Sequence, residues 1–192
     1  MLELIKKIRE RTGAGVVAVK KALDEAGGDE EKCIELLRKA GQSKAAKKAE
    51  REAREGIVIS YVHSNNRVGA MVKLLCETDF VARNAEFQQL GKDIAMHIAA
   101  MNPKFVKPED VSAEIVEKEK EIWRAQLTNE GKPAEMLEKI MAGKEKKFRE
   151  EAALLTQAFV KNPEMTVEQV ITDAVARMGE NIQIGDFVRY EL

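Results

Sequence analysis

Apolar side chains recur at spacings of three and four residues over positions 2–41, which is the period of amphipathic helices. Glycines interrupt this pattern at Gly13, at Gly27-Gly28 and at Gly41, and Asp29 stands where a helix N-cap is expected. Three short helices are therefore predicted, and together they predict a helical domain over residues 1-42. Their apolar stripes are Leu4, Ile5 and Ile8; Val16, Val19, Leu23 and Ala26; and Cys33, Ile34, Leu37 and Ala40.

The next segment, residues 43-55, consists mainly of alanine, lysine, arginine and glutamate and offers almost nothing apolar to bury. These residue types have high helix propensity, so a charged helical linker is expected, with a domain boundary here. The basic stretch Lys44–Arg54 could contact RNA. However, Glu50 and Glu52 dilute its charge, and no aromatic residue interleaves it for base stacking. A solvated linker is therefore the favoured interpretation.

The hydrophobic period changes after residue 55. β-Branched and apolar residues fill Ile57–Val62 and Val68–Cys76, which are separated by the polar segment Ser64–Arg67. This pattern predicts an antiparallel hairpin. A third run of this kind, Ile182–Leu192, is expected to pair with the hairpin. Residues 56-192 are thus predicted to form an α+β core around a three-stranded antiparallel sheet flanked by helices.

Four helices are expected between the hairpin and the last strand. Their boundaries are marked by residues that start or stop helices, such as proline in the first turn, a capping box, and glycine after the last turn. The predicted helices run through Glu86–Met101 up to Asn102-Pro103, from Ser112 to about Asn129, from Pro133 to near Gly143, and from a Thr166–Gln169 capping box to Met178, closed by Gly179.

Composition and charge narrow the class of protein. Of the 192 residues, 44% are hydrophobic and 34% are charged, and the formal net charge is -1. The chain can therefore bury a core but carries no global basic field for nucleic acid. Cys33 and Cys76 are too few for a disulfide framework and are interpreted as buried thiols. Neither a secretory signal nor a membrane span is predicted, so a cytoplasmic protein without a membrane partner is expected.

Motifs for catalysis or ligand binding are scarce. His63 and His97 are the only histidines, and His97 falls in a predicted helix, where a structural or surface role is favoured. Gly13–Ala18 matches the dinucleotide fingerprint G-x-G-x-x-A, but a helix rather than a strand precedes it, so a tight helix–helix turn is favoured. The sequence holds none of the usual metal or nucleophile motifs. We therefore expect no cofactor, no metal site and no catalytic residue, and an enzyme is the least favoured class.

The segment Thr78–Val81 follows directly after a predicted strand. Thr78 or Asp79 can cap the helical turn that begins there, and the acidic residue is followed by a large aromatic, Phe80. Two interpretations are open. Phe80 either protrudes as a protein–protein contact, as hot-spot aromatics do, or packs into the core of its domain.

Several short motifs, in one order from end to end, make the chain similar to bacterial elongation factor Ts. They are Arg9–Gly15, Lys20–Leu23, Lys44–Ala49, Gly56–Val58, Glu77–Asn84, Ala95–Ala99, Gly131–Pro133 and Gly179–Ile182. The chain resembles the short form of this family, which lacks the coiled-coil insertion.

The resemblance implies an N-terminal domain similar to the ubiquitin-associated fold, an α+β core, and a role in translation elongation. It implies elongation factor Tu, a GTPase, as the partner whose GDP is released. Thr78, Asp79, Phe80 and Val81 match the segment associated with dislodging Mg²⁺ from that partner. By this analogy Phe80 wedges between elements of the GTPase domain, and Asp79 displaces groups that position Mg²⁺ and phosphate. The positions of the helical domain that would dock as a second contact are Arg9, Val16, Val17 and Lys20.

The sequence departs from the family pattern at two places. Val16-Val17 stands where the family usually has two methionines, which keeps an apolar contact but loses the adaptability of methionine. Gly185-Asp186 stands where many relatives carry two arginines. Short forms can pair to complete their core, so a homodimer is a hypothesis.

Two other functions stay open beside nucleotide exchange. The first is an adaptor that binds a ribosomal or chaperone partner and leaves every nucleotide in place. The second is RNA binding through Lys44–Arg54, against which the near-zero net charge argues. Direct contact with nucleic acid is therefore not expected.

Overall fold

The computed structural model describes residues 1–130 and 134–192, which alternate between helical and extended segments. The helices are α1 (Leu2–Thr12), α2 (Val16–Glu25), α3 (Glu30–Lys48), α4 (Asp79–Ala82), α5 (Ala85–Met101), α6 (Ala113–Asn129), α7 (Ala134–Ala152) and α8 (Val167–Met178). The strands are β1 (Glu55–Val62), β2 (Val68–Cys76), β3 (Ala158–Phe159), β4 (Asn162–Thr166) and β5 (Gln183–Glu191), and short 3-10 turns lie at Pro108–Asp110 and Leu154–Thr156. Within the described ranges, none of the helices combines the length and the apolar composition that crossing a bilayer requires.

Helices α1 to α3 pack around one small apolar cluster, which confirms the three predicted N-terminal helices. Asp29 is the N-cap of α3, and its side chain accepts the N–H of Lys32 at 2.8 Å. This bond satisfies one of the donors that a helix start leaves unpaired. The buried members of the cluster are Ile5, Ile8, Val19, Ala22, Leu23, Ala26 and Cys33.

Helix α3 is longer than predicted. It runs through Gly41 to Lys48, and Gly41 is buried against α8, where an added Cβ would lie 3.4 Å from the Cβ of Ala176. The prediction that α3 ends at Gly41 is wrong, because this glycine allows two helices to pack closely. Of the predicted linker 43–55, residues 43–48 are the last turns of α3 and residues 49–54 are not helical. The division into domains at 42 and 55 stays a prediction.

The three long strands form one antiparallel sheet in the order β1-β2-β5, which confirms that the last strand pairs with the hairpin. The register of β2 with β5 shifts between Lys73, which faces Asp186, and Leu74, which faces Ile184. Gly185 is thus the extra residue of a bulge. A Cβ at Gly185 would lie 2.9 Å from the Cδ of Lys73, so a larger residue here would require the flexible lysine side chain to move.

Helix α5 covers one face of this sheet. Gly91 lies against Ile57 and Ile59, each with an atom 3.2 Å from where its Cβ would be, and this close approach seats α5 on β1. The opposite side, which we call the open sheet face, exposes Val58, Val62, Met71, Val188 and Tyr190. The core between α5, α8 and the covered face includes Val72, Leu74, Phe87, Ile94, Ile98, Leu154, Val167, Ile171, Ala174, Val175, Ile182 and Ile184.

Helices α6 and α7 pack against each other, with the rings of Trp123 and Phe148 meeting edge to face at 5.7 Å. The prediction that a helix ends near Gly143 is wrong, because α7 continues to Ala152. Gly143 is exposed within the helix, and a Cβ there would meet nothing within 4 Å. The family motif Gly131–Pro133, whose proline is predicted to begin this helix, lies outside the described residues.

The predicted capping box at the start of α8 is confirmed. The Gln169 N–H donates to the Thr166 Oγ1 at 3.2 Å, and the Thr166 N–H donates to the Gln169 Oε1 at 3.0 Å. Gly179 ends the helix with a φ of 79°.

Strands β3 and β4, which form a separate two-stranded sheet, are not predicted from the sequence, because β3 has only two residues and β4 contains Pro163.

His97 is fully buried on α5, where it stacks on Phe159 with the ring centroids 5.8 Å apart. Its Nδ1 accepts the N–H of Val160 at 3.1 Å, so the proton of the neutral ring sits on Nε2, 3.0 Å from the Gln157 Oε1. Burial lowers the pKa of His97, and the hydrogen bond to Gln157 opposes this in part. His97 therefore has a structural role, one of the two favoured from the sequence.

Lowering the pH should destabilise the wild-type fold more than that of a His97→Gln variant. Because the folded-state pKa is depressed, the contribution of neutral His97 is complete above its ordinary pKa of 6.5 and is lost as the pH falls through the folded pKa. The free energy of unfolding should fall by at most about 1.4 kcal/mol per pH unit. Urea unfolding from about pH 7.5 to about pH 5 measures this difference.

His63→Gln is the matched control, because His63 is exposed, and its pH profile should follow that of the wild type. Parallel profiles for wild type and His97→Gln would contradict the assignment of a neutral buried ring.

Candidate functional site

The chain turns from β2 into the single-turn helix α4 through residues 77–78. Thr78 is the N-cap of α4, and its Oγ1 accepts the N–H of Val81 at 3.4 Å. Helix α5 follows after Asn84, whose side chain accepts the N–H of Glu86 at 2.8 Å and caps that helix. Side-chain caps therefore mark the start of α4 and the start of α5, on either side of this short segment. We call residues 78–81 the Thr78–Val81 turn.

Phe80 projects into solvent, with 81% of its surface exposed. The next two residues of α4 face the protein, since Val81 packs against the main core and Ala82 is buried in it. Successive residues of a helix point about 100° apart, so burying Val81 and Ala82 leaves Phe80 outside. The interpretation that Phe80 packs into the core is wrong, and the protruding orientation is the one observed.

Asp79 lies next to Phe80 at the first position of α4. Its Oδ2 is 3.1 Å from the Nη2 of Arg83, four residues further on, and both side chains are substantially exposed. An exposed pair of this kind contributes roughly 0.3–0.5 kcal/mol. It therefore orients the carboxylate without holding it firmly. An aromatic ring and a carboxylate are thus presented side by side on one exposed turn.

Glu180, which follows α8, supports this turn from beneath. Its Oε2 accepts the backbone N–H groups of Glu77 at 3.1 Å and Thr78 at 3.0 Å. Its Oε1 accepts the hydroxyl of Thr78 at 2.6 Å. One carboxylate thus satisfies three donors at the start of the Thr78–Val81 turn, and hydrogen bonds to a charged acceptor are stronger than neutral ones.

The support is reciprocal. The Glu77 Oε1 accepts the N–H of Asn181 at 2.6 Å, and the Glu77 Oε2 lies 3.5 Å from the Nη1 of Arg51. The Asn181 amide donates to the carbonyls of Arg51 at 2.6 Å and Ala49 at 3.4 Å. Three chain segments, at residues 49–51, 77–78 and 180–181, are therefore joined by charged and amide hydrogen bonds. No individual role is predicted from the sequence for Glu77, Glu180 or Asn181, although the family motifs Glu77–Asn84 and Gly179–Ile182 contain them.

Cys76 ends β2 directly below the turn. It is buried, and its thiol donates to the Thr78 carbonyl at 3.2 Å. Burial, and next the nearby Glu180 carboxylate, raise the pKa of Cys76 to about 11. Burial also raises the pKa of Cys33. Both cysteines are free and buried, so the interpretation of plain buried thiols is confirmed.

The predicted contact of the helical domain lies on α1 and the start of α2. Val17 is 83% exposed, and Val16 is about half exposed. Lys20 is one turn further along the same helix and also exposed, and Arg9 on α1 donates through Nε to the Ala14 carbonyl at 3.3 Å. These four residues, which we call the helical-domain patch, combine exposed apolar surface with positive charge.

The end of α8 links the helical domain to the turn. The Cδ of Arg177 occupies the space that a Cβ on Gly13 would need, and the Nε of Arg177 is 2.5 Å from the Glu86 Oε1. Three residues further on, Glu180 holds the Thr78–Val81 turn. The end of α8 therefore contacts the α1–α2 turn, which lies between Arg9 and Val16 in the sequence, and also the Thr78–Val81 turn.

The glycine motif and the basic stretch each have a definite place in the structure. Gly13 ends α1 and Gly15 precedes α2 as its N-cap, so the glycine motif is a helix–helix turn as interpreted. In the basic stretch, Lys48 donates to the Gly179 carbonyl and Arg51 pairs with Glu77, so part of its charge is bound internally. Across residues 1–130 and 134–192, no cluster of three or more histidine, cysteine or acidic side chains could hold a metal ion.

Comparison with known proteins gives the family. A sequence profile described as Elongation factor TS matches residues 6–192. Elongation factor Ts of Thermosipho melanesiensis is 56% identical over 188 residues, which cover 98% of this chain and 96% of that protein. The proteins of the same name from Fervidobacterium nodosum and Thermodesulfovibrio yellowstonii are 53% and 51% identical over 190 residues, with 99% of this chain and 96% and 94% of theirs covered. The length also fits the short form without the insertion. The chain therefore belongs to the elongation factor Ts family of translation elongation factors.

Proposed function

We propose that this protein is a guanine-nucleotide exchange factor, which binds elongation factor Tu carrying GDP, dislodges Mg²⁺ from that complex and promotes GDP release. The observation that carries the proposal is Phe80, a large aromatic side chain that is 81% exposed on a turn whose start is capped by Thr78. An aromatic of this kind is suited to fill a pocket on a partner. Membership of the elongation factor Ts family supplies the partner class.

In this mechanism the Thr78–Val81 turn enters the GTPase domain of the partner. Phe80 separates elements of that domain, and Asp79 brings a negative charge close to the groups that position Mg²⁺ and phosphate. The exposed pair with Arg83 is weak enough for the Asp79 carboxylate to exchange it for a partner group. The metal and the nucleotide both belong to the partner, so this chain acts on them without binding either by itself.

The energetics are those of linkage. A factor that binds nucleotide-free elongation factor Tu more tightly than the GDP-bound form must weaken GDP binding by the same ratio. Each tenfold of weakening requires about 1.4 kcal/mol of differential binding. One aromatic hot spot contributes about 2 kcal/mol or more, so Phe80 can supply a large share of a tenfold to hundredfold effect.

The helical-domain patch is proposed as a second contact that docks the factor. Val16 and Val17 offer apolar surface, while Arg9 and Lys20 offer charge to an acidic rim. A docking contact that is the same before and after GDP release lowers the concentration needed for binding but not the maximal rate. The patch and the turn are therefore expected to affect different kinetic parameters.

Replacing both Asp79 and Phe80 with alanine should abolish most of the exchange activity. We expect the maximal rate of GDP release to fall roughly 30-fold or more, since a hot spot of about 2 kcal/mol is lost. The measurement mixes excess factor with elongation factor Tu carrying fluorescent GDP and follows its release against unlabelled nucleotide. Val160→Ala is the control, because Val160 is an exposed apolar residue away from the turn, and its rate should equal that of the wild type.

The same assay separates exchange from the adaptor alternative. If the wild-type chain binds elongation factor Tu but leaves the release rate of GDP unchanged, the adaptor interpretation holds and the exchange proposal is wrong.

A Val17→Asp variant should bind elongation factor Tu more weakly but keep the maximal rate of GDP release. The factor concentration that gives the half-maximal rate should rise roughly tenfold, because an apolar contact is replaced by a charge near its partner surface. The plateau rate at saturating factor should stay close to that of the wild type. A lowered plateau with an unchanged half-saturating concentration would contradict the assignment of Val17 to docking.

We propose further that two copies of this chain pair through the open sheet face. Across the three strands, Ser60, Met71 and Val188 are aligned, as are Val58, Lys73 and Asp186. The face is thus largely apolar, with one positive and one negative side chain in neighbouring strands. In a two-fold pair, each Lys73 can approach the Asp186 of the other copy, which makes such a face self-complementary.

Multi-angle light scattering at micromolar concentration tests this pairing. The wild type should show twice the 21.5 kDa mass of one chain, and Met71→Glu, which puts a charge in the middle of the face, should show a monomer. Val160→Glu introduces the same charge outside the face and should leave the dimer intact. A monomeric wild type contradicts the proposal.

A further inference from the structure

Glu180 is the residue on which the position of the Thr78–Val81 turn depends. Its three hydrogen bonds reach the backbone of Glu77 and both the backbone and the hydroxyl of Thr78. The side chain lies partly buried beneath the turn, whereas Phe80 points outward. Both of its carboxylate oxygens are therefore engaged by the residues that lead into the turn.

The Thr78 hydroxyl connects Glu180 to α4. It donates to the Glu180 Oε1 at 2.6 Å while accepting the Val81 N–H at 3.4 Å. The donor to the carboxylate and the cap of the helix are thus one group, and its orientation is set by Glu180. Since Phe80 lies between Thr78 and Val81, fixing this group fixes the backbone that carries the aromatic ring.

We propose that Glu180 is a positioning residue for nucleotide exchange, which keeps Phe80 preorganised before the partner is bound. The inference rests on the proposed exchange function. Without Glu180, the three donors turn to water and the turn samples other conformations, so part of the binding energy of Phe80 is used to order it. The loss appears where Phe80 acts, in the maximal rate of GDP release.

The test compares Glu180→Ala with Glu180→Gln and with the control Glu164→Ala, which removes an exposed carboxylate on β4. For Glu180→Ala we expect roughly a tenfold lower plateau rate of GDP release, equivalent to about 1.4 kcal/mol, with an unchanged half-saturating concentration. Glu180→Gln should be intermediate, because its amide oxygen can still accept both backbone N–H groups. Glu164→Ala should match the wild type.

A double-mutant cycle with Phe80→Ala distinguishes positioning from a general loss of structure. If Glu180 acts mainly through Phe80, adding Glu180→Ala to Phe80→Ala should lower the plateau rate much less than Glu180→Ala lowers that of the wild type, since only its effect on Asp79 is left. Additive losses in the two variants, or a wild-type plateau in Glu180→Ala, would overturn the inference.

A measurement on the free protein keeps the inference testable if the exchange function fails or the variant is destabilised. Amide ¹⁵N relaxation should show lower order parameters at residues 78–82 in Glu180→Ala than in the wild type, with the amides of α5 unchanged. If the wild-type chain does not accelerate GDP release from elongation factor Tu, only the proposed function is refuted. A turn that stays as ordered in Glu180→Ala as in the wild type refutes the positioning role.

Discussion

The carboxylate of Glu180 accepts the backbone N–H of Glu77, and the carboxylate of Glu77 accepts the backbone N–H of Asn181. The arrangement of the candidate site depends on these two reciprocal hydrogen bonds. They join the end of β2 to the start of β5 and, through Asn181 and Arg51, to the segment that leaves α3. Each bond pairs a backbone N–H with a charged acceptor, which is worth more than a neutral hydrogen bond. Turns at strand and helix ends leave such donors without partners, and here they are satisfied by side chains from distant parts of the sequence.

The exposed position of Phe80 follows from this anchoring. Val81 and Ala82 are buried, Thr78 is held at the other end, and the short helix between them leaves one direction for the ring. Burying a phenylalanine side chain contributes about 1.5–3 kcal/mol. Because Phe80 is exposed, this free energy does not stabilise the free protein. That free energy becomes available on contact with a partner, and a preorganised turn loses little of it to ordering.

The C-terminal end of α8 lies close to both regions that are proposed to contact the partner. Arg177 lies against Gly13 in the helical domain and pairs with Glu86 on α5, and Glu180 follows three residues later. Gly41 brings α3 against the middle of the same helix. The α1–α2 turn of the helical domain and the Thr78–Val81 turn thus both lie against the C-terminal end of one helix.

The sequence by itself determined the local elements. Alternation and helical spacing identified the hairpin, the last strand and the helices, and the capping residues Asp29 and Thr166 marked two helix starts correctly, because these signals depend on neighbours in the sequence. The prediction of Thr78–Val81 as the partner-binding segment also rests on residues that are adjacent in the sequence. The helix ends predicted at Gly41 and Gly143 are wrong. A glycine can end a helix, allow close packing or do neither, depending on its neighbours in space, and only the tertiary structure decides which.

The orientation of Phe80 and the role of Glu180 also belong to the tertiary structure. From residue types alone, Phe80 could be core or contact, and the decision came from the burial of Val81 and Ala82 against strands and helices distant in sequence. Glu180 and Thr78 are 102 residues apart. A hydrogen bond over that separation exists only because β5 pairs with β2 and brings the end of α8 to the end of β2, and no local pattern in the chain encodes it.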